Sequence, residues 1–134
     1  MAENRYEIKI LVVDDEKLIR LTLGAKLRKV GYVPVAAATV EEAVAELKKA
    51  PTSFSAIITD IMMGEMDGFM FRDMVRGIAP KIPIFFLTAL DPEEGGGFLK
   101  RIMDDAISYY LPKAVASLLL CLLPEQIFLS PVHH

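Results

Sequence analysis

Five short apolar runs recur along the chain, most of them closed by a polar or acidic residue, with helical spacing between them. That alternation constrains the fold more than any other feature of the sequence. Ile8 to Val13 (IKILVV) is rich in β-branched residues and ends at Asp14 and Asp15. Ser55 to Thr59 (SAIIT) ends at Asp60, Ile82 to Leu87 (IPIFFL) at Thr88, and Ile107 to Leu111 (ISYYL) at Pro112 and Lys113. Tyr32 to Ala37 is a shorter run of the same kind. Runs of this length and composition read as strands buried on both faces, the pattern of a parallel sheet.

The intervening stretches have the period of helices. From Glu16 to Val30, Ile19, Leu23 and Leu27 fall four apart on one face, and Gly31 stops the helix. Thr39 caps the next, with Glu42 three residues on completing a capping box; Ala43, Val44 and Leu47 point inward and the helix ends before Pro51. Asp67 or Gly68 opens a third, holding Phe69, Phe71 and Met74. Phe98 to Ala106 and Val115 to Leu123 are the last two, the final one ended by Pro124. Strictly alternating strands and helices with short connections predict one parallel sheet covered by helices on both faces.

Composition bounds the function. A length of 134 residues implies one domain, and 53% apolar residues suffice for one closed core. The net charge of −3, with no Lys/Arg run, gives no nucleic-acid footprint. Cys121 is the single cysteine, so no internal disulfide can form and a reducing, cytoplasmic setting is expected. The two histidines, His133 and His134, read as the remnant of an expression tag, which leaves no internal histidine for a metal cage or catalytic triad. Met1 to Tyr6 is too polar for a signal peptide, and the apolar patch Val115 to Leu123 is far shorter than the ~20 residues that span a bilayer.

In an open parallel sheet, sites form beyond the carboxyl ends of the strands. Asp14, Asp15, Asp60, Thr88 and Lys113 all stand there. Carboxylates gathered on one edge repel one another, and a hard divalent cation removes the repulsion; oxygen ligands without His or Cys point to Mg²⁺. Mg²⁺ beside a carboxylate and a lysine is a constellation for phosphoryl transfer, in which the carboxylate can be the nucleophile.

With ILVVDDE at Ile10 to Glu16, TDIMMGEMDG at Thr59 to Gly68, LTA at Leu87 to Ala89 and YYLPK at Tyr109 to Lys113, the sequence resembles the receiver (phospho-acceptor) domain of bacterial two-component response regulators. The likeness runs from Ile8 to Leu123. It implies a doubly wound, flavodoxin-like α/β fold with strand order 2-1-3-4-5, a receiver domain over residues 1–124 and a tail over 125–134. It also implies site roles. Asp60 would accept the phosphoryl group from a sensor histidine kinase or phosphotransfer protein. Asp15, Asp60 and the carbonyl of Met62 would hold Mg²⁺, with Asp14 acting through a coordinated water. Thr88 and Lys113 would bind the phosphoryl oxygens, small Ala89 would keep the approach open, and Thr88 and Tyr110 would move together as the switch. The changed surface would then meet a downstream protein or output domain.

Three positions depart from the family pattern. Gly64 replaces the usual proline after the acceptor's methionines, which implies a looser turn. Ala114, not proline, follows Lys113; a cis bond there would cost ~3 kcal/mol, and a one-residue slip in this loop would put Tyr109 at the switch position. The segment Leu90 to Gly97 is long and holds three successive glycines, each about 1 kcal/mol worse than Ala in a helix.

The bland alternative makes the aspartates mere turn residues and helix caps, but it leaves Thr88 and Lys113 at the same edge unexplained. Among functions, the leading expectation is a phosphorylatable signalling switch that is not an enzyme beyond its own phosphorylation and dephosphorylation. A receiver-like interaction module working largely without phosphorylation is the alternative. An aspartate-nucleophile phosphohydrolase is weaker, because no second acid follows two residues after Asp60. Val115 to Leu123, apolar all round, is expected to meet a partner or a second copy, or to be a cut edge of a longer protein. The 11 residues after Leu123 are too few for a DNA-binding domain, so no direct nucleic-acid contact is expected.

Overall fold

The computed structural model of the chain describes residues 7–63, 66–88, 104–105 and 107–112. In chain order the elements are β1 (Lys9–Val13), α1 (Lys17–Lys29), β2 (Val33–Ala37), α2 (Val40–Lys49), β3 (Phe54–Asp60), β4 (Met62–Met63), β5 (Met66–Asp67), α3 (Gly68–Ile78), β6 (Ile84–Thr88) and β7 (Ser108–Pro112). Five strands form one parallel sheet in the order β2-β1-β3-β6-β7. Counting sheet strands alone, this is the expected 2-1-3-4-5. Of the helix expected at 98–106 only residues 104–105 are described, and they form a turn and a bend rather than helix; the helix expected at 115–123 and the segment 90–97 lie outside the described residues.

Because strand side chains alternate, the inner strands β1, β3 and β6 each feed two cores. Ile10, Val12, Ala56, Ile58, Phe85 and Leu87 pack with Leu23 and Leu27 of α1 on one face. Leu11, Val13, Ile57, Ile84 and Phe86 pack with the buried sides of α2 and α3 on the other. The phase changes once: β1 and β3 slip in register between Lys9 and Ile10, which pair with Phe54 and Ala56, so Ser55 is an extra residue. The bulge puts Phe54 in the α2–α3 core although Ala56, two residues on, belongs to the α1 core.

Local chemistry sets the helix ends. Gly31 adopts φ 94°, Gly31 N–H donates to Arg28 O (3.0 Å) and Tyr32 N–H to Leu27 O (2.9 Å), a Schellman stop in which Tyr32 also packs on Leu27. At α2, Thr39 Oγ1 accepts from Glu42 N–H (3.1 Å), while Glu42 Oε1 accepts from Ala38 N–H (2.9 Å) rather than from the cap residue itself. In α3, Phe69, Phe71 and Val75 are buried, whereas Met74 lies on the outer side at 41% exposure.

A side-chain network ties α3 to the start of β7. Arg76 Nε donates to Asp105 Oδ2 (2.7 Å) and Arg76 Nη1 to Ile82 O (2.7 Å), while Asp105 Oδ1 accepts from Ile107 N–H (3.1 Å). Among the described residues, no helix is long and apolar enough to cross a membrane.

Candidate functional site

The sheet register decides which residues meet. Val13 pairs with Thr59 and Asp60 with Leu87, so the chain leaves β1 and ends β3 side by side at the carboxyl edge. Asp14 follows β1 directly and is fully buried; its N–H donates to Ala37 O (3.2 Å). Asp60 closes β3 and is 8% exposed, while Asp15 faces solvent. One carboxylate oxygen from each of Asp14, Asp15 and Asp60 lies within 4.8 Å of the others. The structure thus brings together the acidic residues expected from sequence.

The turn after β1 is shaped by Asp14 itself. Its Oδ1 accepts from Glu16 N–H (2.9 Å) and its carbonyl accepts from Arg20 Nη1 (2.8 Å). The side chain is therefore both a turn former and a member of the acidic set. Glu16 is exposed, as a solvated residue should be.

On the β3 side the chain turns through the two-stranded pair β4–β5, where Met62 pairs with Asp67 and Met63 with Met66. Gly68 N–H then donates to Ile61 O and α3 begins. A Cβ on Gly68 would stand 2.7 Å from Asp60 O and 3.1 Å from both Ile61 Cα and a Phe86 ring carbon. Only glycine lets α3 start this close to β3. Sequence reading placed Gly68 at the helix start but missed this constraint, because backbone atoms of β3 impose it.

Thr88 is the last residue of β6 and pairs with Pro112, one step beyond the Asp60–Leu87 pair. Its backbone thus reaches the edge where Asp60 ends. Tyr110 pairs with Phe86, two positions back along β7. Lys113, Ala89, Gly64 and Ala114 lie outside the described residues.

Three negative oxygens this close repel each other, and a bound cation would relieve the repulsion. All are hard carboxylate donors, the set that suits Mg²⁺, Ca²⁺ or Mn²⁺ and not Zn²⁺. Two oxygens bound directly to one Mg²⁺ stand at most about 4.2 Å apart. The cluster needs only a small side-chain adjustment, or one contact through water, to hold such an ion.

A family model described as the response regulator receiver domain matches residues 10–121. Among curated proteins, the transcriptional regulatory protein YvrH of Bacillus subtilis is 40% identical over 111 residues, 81% of this chain and 46% of that protein. The probable transcriptional regulator ycf27 of Pyropia yezoensis is 40% identical over 88 residues, 66% of this chain and 35% of that protein. The chain thus spans half or less of these relatives' length. Among solved structures, chemotaxis protein CheY4 of Vibrio cholerae superposes with a TM-score of 0.79 at 29% identity, covering 92% of this chain and 100% of that one.

Proposed function

The chain belongs to the response regulator receiver domain family, and from that premise we propose that it is a phosphorylatable signalling switch whose acceptor is Asp60. The supporting observation is the convergence of the Asp14, Asp15 and Asp60 carboxylates within 4.8 Å at the carboxyl ends of β1 and β3. Members of this family are signalling switches rather than classical enzymes. The donor would be a phosphohistidine on a sensor kinase or phosphotransfer protein, and the recipient of the signal a downstream protein or output domain.

Asp14, Asp15, Asp60 and the carbonyl of Met62 would hold Mg²⁺, which when bound neutralises charge on the carboxylates and the incoming phosphoryl group. An Asp60 carboxylate oxygen forms the new bond to phosphorus, and the bond to the donor nitrogen breaks, its electron pair leaving with the imidazole. The burial of Asp60 limits the directions from which a donor or water can approach. Thr88 and Lys113 would bind the phosphoryl oxygens, and Tyr110 would follow Thr88 as the surface changes. The nearly two negative charges added at Asp60 supply the bias for that change. The positions that would favour an interaction module working without phosphorylation, Ala114 and residues 95–97, lie outside the described residues.

Incubation with Mg²⁺ and a small acyl phosphate, read by intact mass, tests the proposal. One phosphoryl adduct is expected on the wild type and none on Asp60→Asn. An unmodified wild type, or an adduct that survives the substitution, rejects it.

A further inference from the structure

A second concave feature has no part in the acidic site. Between α1 and β2 lies a groove of about 160 Å³, lined chiefly by Lys17, Arg20, Leu21, Gly24, Arg28 and Pro34. Positions 17, 21, 24 and 28 fall three or four residues apart, with 20 beside 21, so they form one stripe along α1, roughly 16 Å long at 1.5 Å per residue. Because β2 is an edge strand, the groove opens at the border of the sheet.

Its charge runs against that of the whole chain. The sequence holds 18 acidic and 15 basic residues, yet Lys17–Lys29 carries Lys17, Arg20, Lys26, Arg28 and Lys29 with no acid. Among the described residues, none of Lys17, Arg20 and Arg28 is ion-paired with a carboxylate. Arg20 is steadied by its bond to the Asp14 carbonyl (2.8 Å). Arg28 lies beside a notch, its Nη1 3.5 Å from where a Cβ on Gly24 would be, with Pro34 Cγ at 3.8 Å. The groove is thus a cationic rim over an apolar floor with a recess at Gly24.

Those features select among occupants. A strand adding to the sheet edge is disfavoured: Val33 N–H points to Ile8 O (2.8 Å), so the next nitrogen faces outward, and it belongs to Pro34, which has no proton to donate. Nucleic acid gains little from an apolar floor, and a chain of net charge −3 repels it at long range. Charge complementarity and an apolar recess together suit carboxylates flanking a small aliphatic side chain.

We propose that the α1–β2 groove docks an acidic segment of a partner protein, its carboxylates meeting Lys17, Arg20 and Arg28 and one aliphatic side chain filling the recess at Gly24. This docking rests on the α1 stripe and not on phosphorylation of Asp60, so it is measured without Mg²⁺ or phosphodonor.

The probe is a fluorescein-labelled synthetic peptide with glutamates flanking a central leucine, titrated with the full chain at low salt and read by anisotropy. The wild type should bind it, and Arg28→Glu should weaken binding at least tenfold. Gly24→Ala, whose methyl meets only ordinary contacts, should also weaken binding while the thermal transition stays intact. Lys26→Glu, on α1 but outside the groove, should leave binding within twofold. The proposal is overturned by no binding to the wild type, by equal binding of the same peptide with Gln for Glu, by Lys26→Glu losing as much as Arg28→Glu, or by a single-stranded oligonucleotide outcompeting the peptide.

Discussion

At Gly68 the absence of one methyl group sets where the carbonyl of Asp60 can lie. Alanine would gain at most about 1 kcal/mol of helix propensity, and less at a first helical residue. Against that stands a 2.7 Å approach to backbone that cannot rotate away, an overpacking cost of about 1–3 kcal/mol. The steric term wins, so Gly68→Ala should lower the urea midpoint and, under the proposed function, weaken divalent-cation binding through displacement of Asp60. A midpoint at or above the wild-type value would show that α3 has room to shift. Tyr32 is the opposite case. Its ring closes the α1 core beside Leu27, but its buried hydroxyl has no hydrogen-bond partner among the described residues, and burial pushes its pKa up. A buried hydroxyl left unpaired costs about 1 kcal/mol or more. Tyr32→Phe should therefore raise the urea midpoint at unchanged slope; a fall would mean that the hydroxyl is satisfied in solution.

Among the elements, the link between α3 and β7 is the one with an electrostatic signature. Burial alone would raise the Asp105 pKa. The hydrogen bonds from Arg76 and Ile107 N–H and the charges of Arg76 and Arg72 more than offset this and hold it below the ordinary carboxylate value. The folded pKa is depressed, so the pair stabilises the fold above the unfolded pKa and loses that contribution as pH falls through the folded value. Asp105→Asn should be less stable than wild type by about 1–2 kcal/mol at pH 7, with the gap closing as both are taken into acid. A gap that stays constant with pH would assign the effect to packing. Arg76 and Asp105 are 29 residues apart in sequence, and no periodicity links them. That is why this strap was invisible in the sequence while the strands it joins were plain. β1, β3 and β6 announce themselves by unbroken apolar runs, and the aspartates by ending two of them. The β4–β5 pair was not foreseen, because two residues per strand carry no alternation to read. The outward turn of Met74 was equally hidden, since α3 holds more apolar residues than its buried stripe needs.

For the molecule as a whole, the proposed cation site would couple metal binding to stability. Under the proposed function, Mg²⁺ at a hundred times its dissociation constant adds about 2.7 kcal/mol, enough to raise Tm by several degrees. Asp15 is exposed and takes part in the mutual repulsion of the cluster. Asp15→Asn should thus leave the metal-free Tm unchanged or higher and abolish the Mg²⁺-induced rise. A wild-type Tm indifferent to Mg²⁺ would count against the metal role. The parallel sheet and its two covered faces were legible in the sequence, because each inner strand must satisfy two cores at once; the strand order was implied by the family resemblance and not by the burial pattern. The same condition makes the parity of strand length matter. One residue added between Ile57 and Asp60 would exchange the two faces and turn the Asp60 carboxylate from its neighbours. At Ser55 the sheet already carries one odd residue, and only Phe54 changes sides in consequence. Length changes in this protein are therefore expected to accumulate at the amino ends of its strands, where a phase error is harmless to the site.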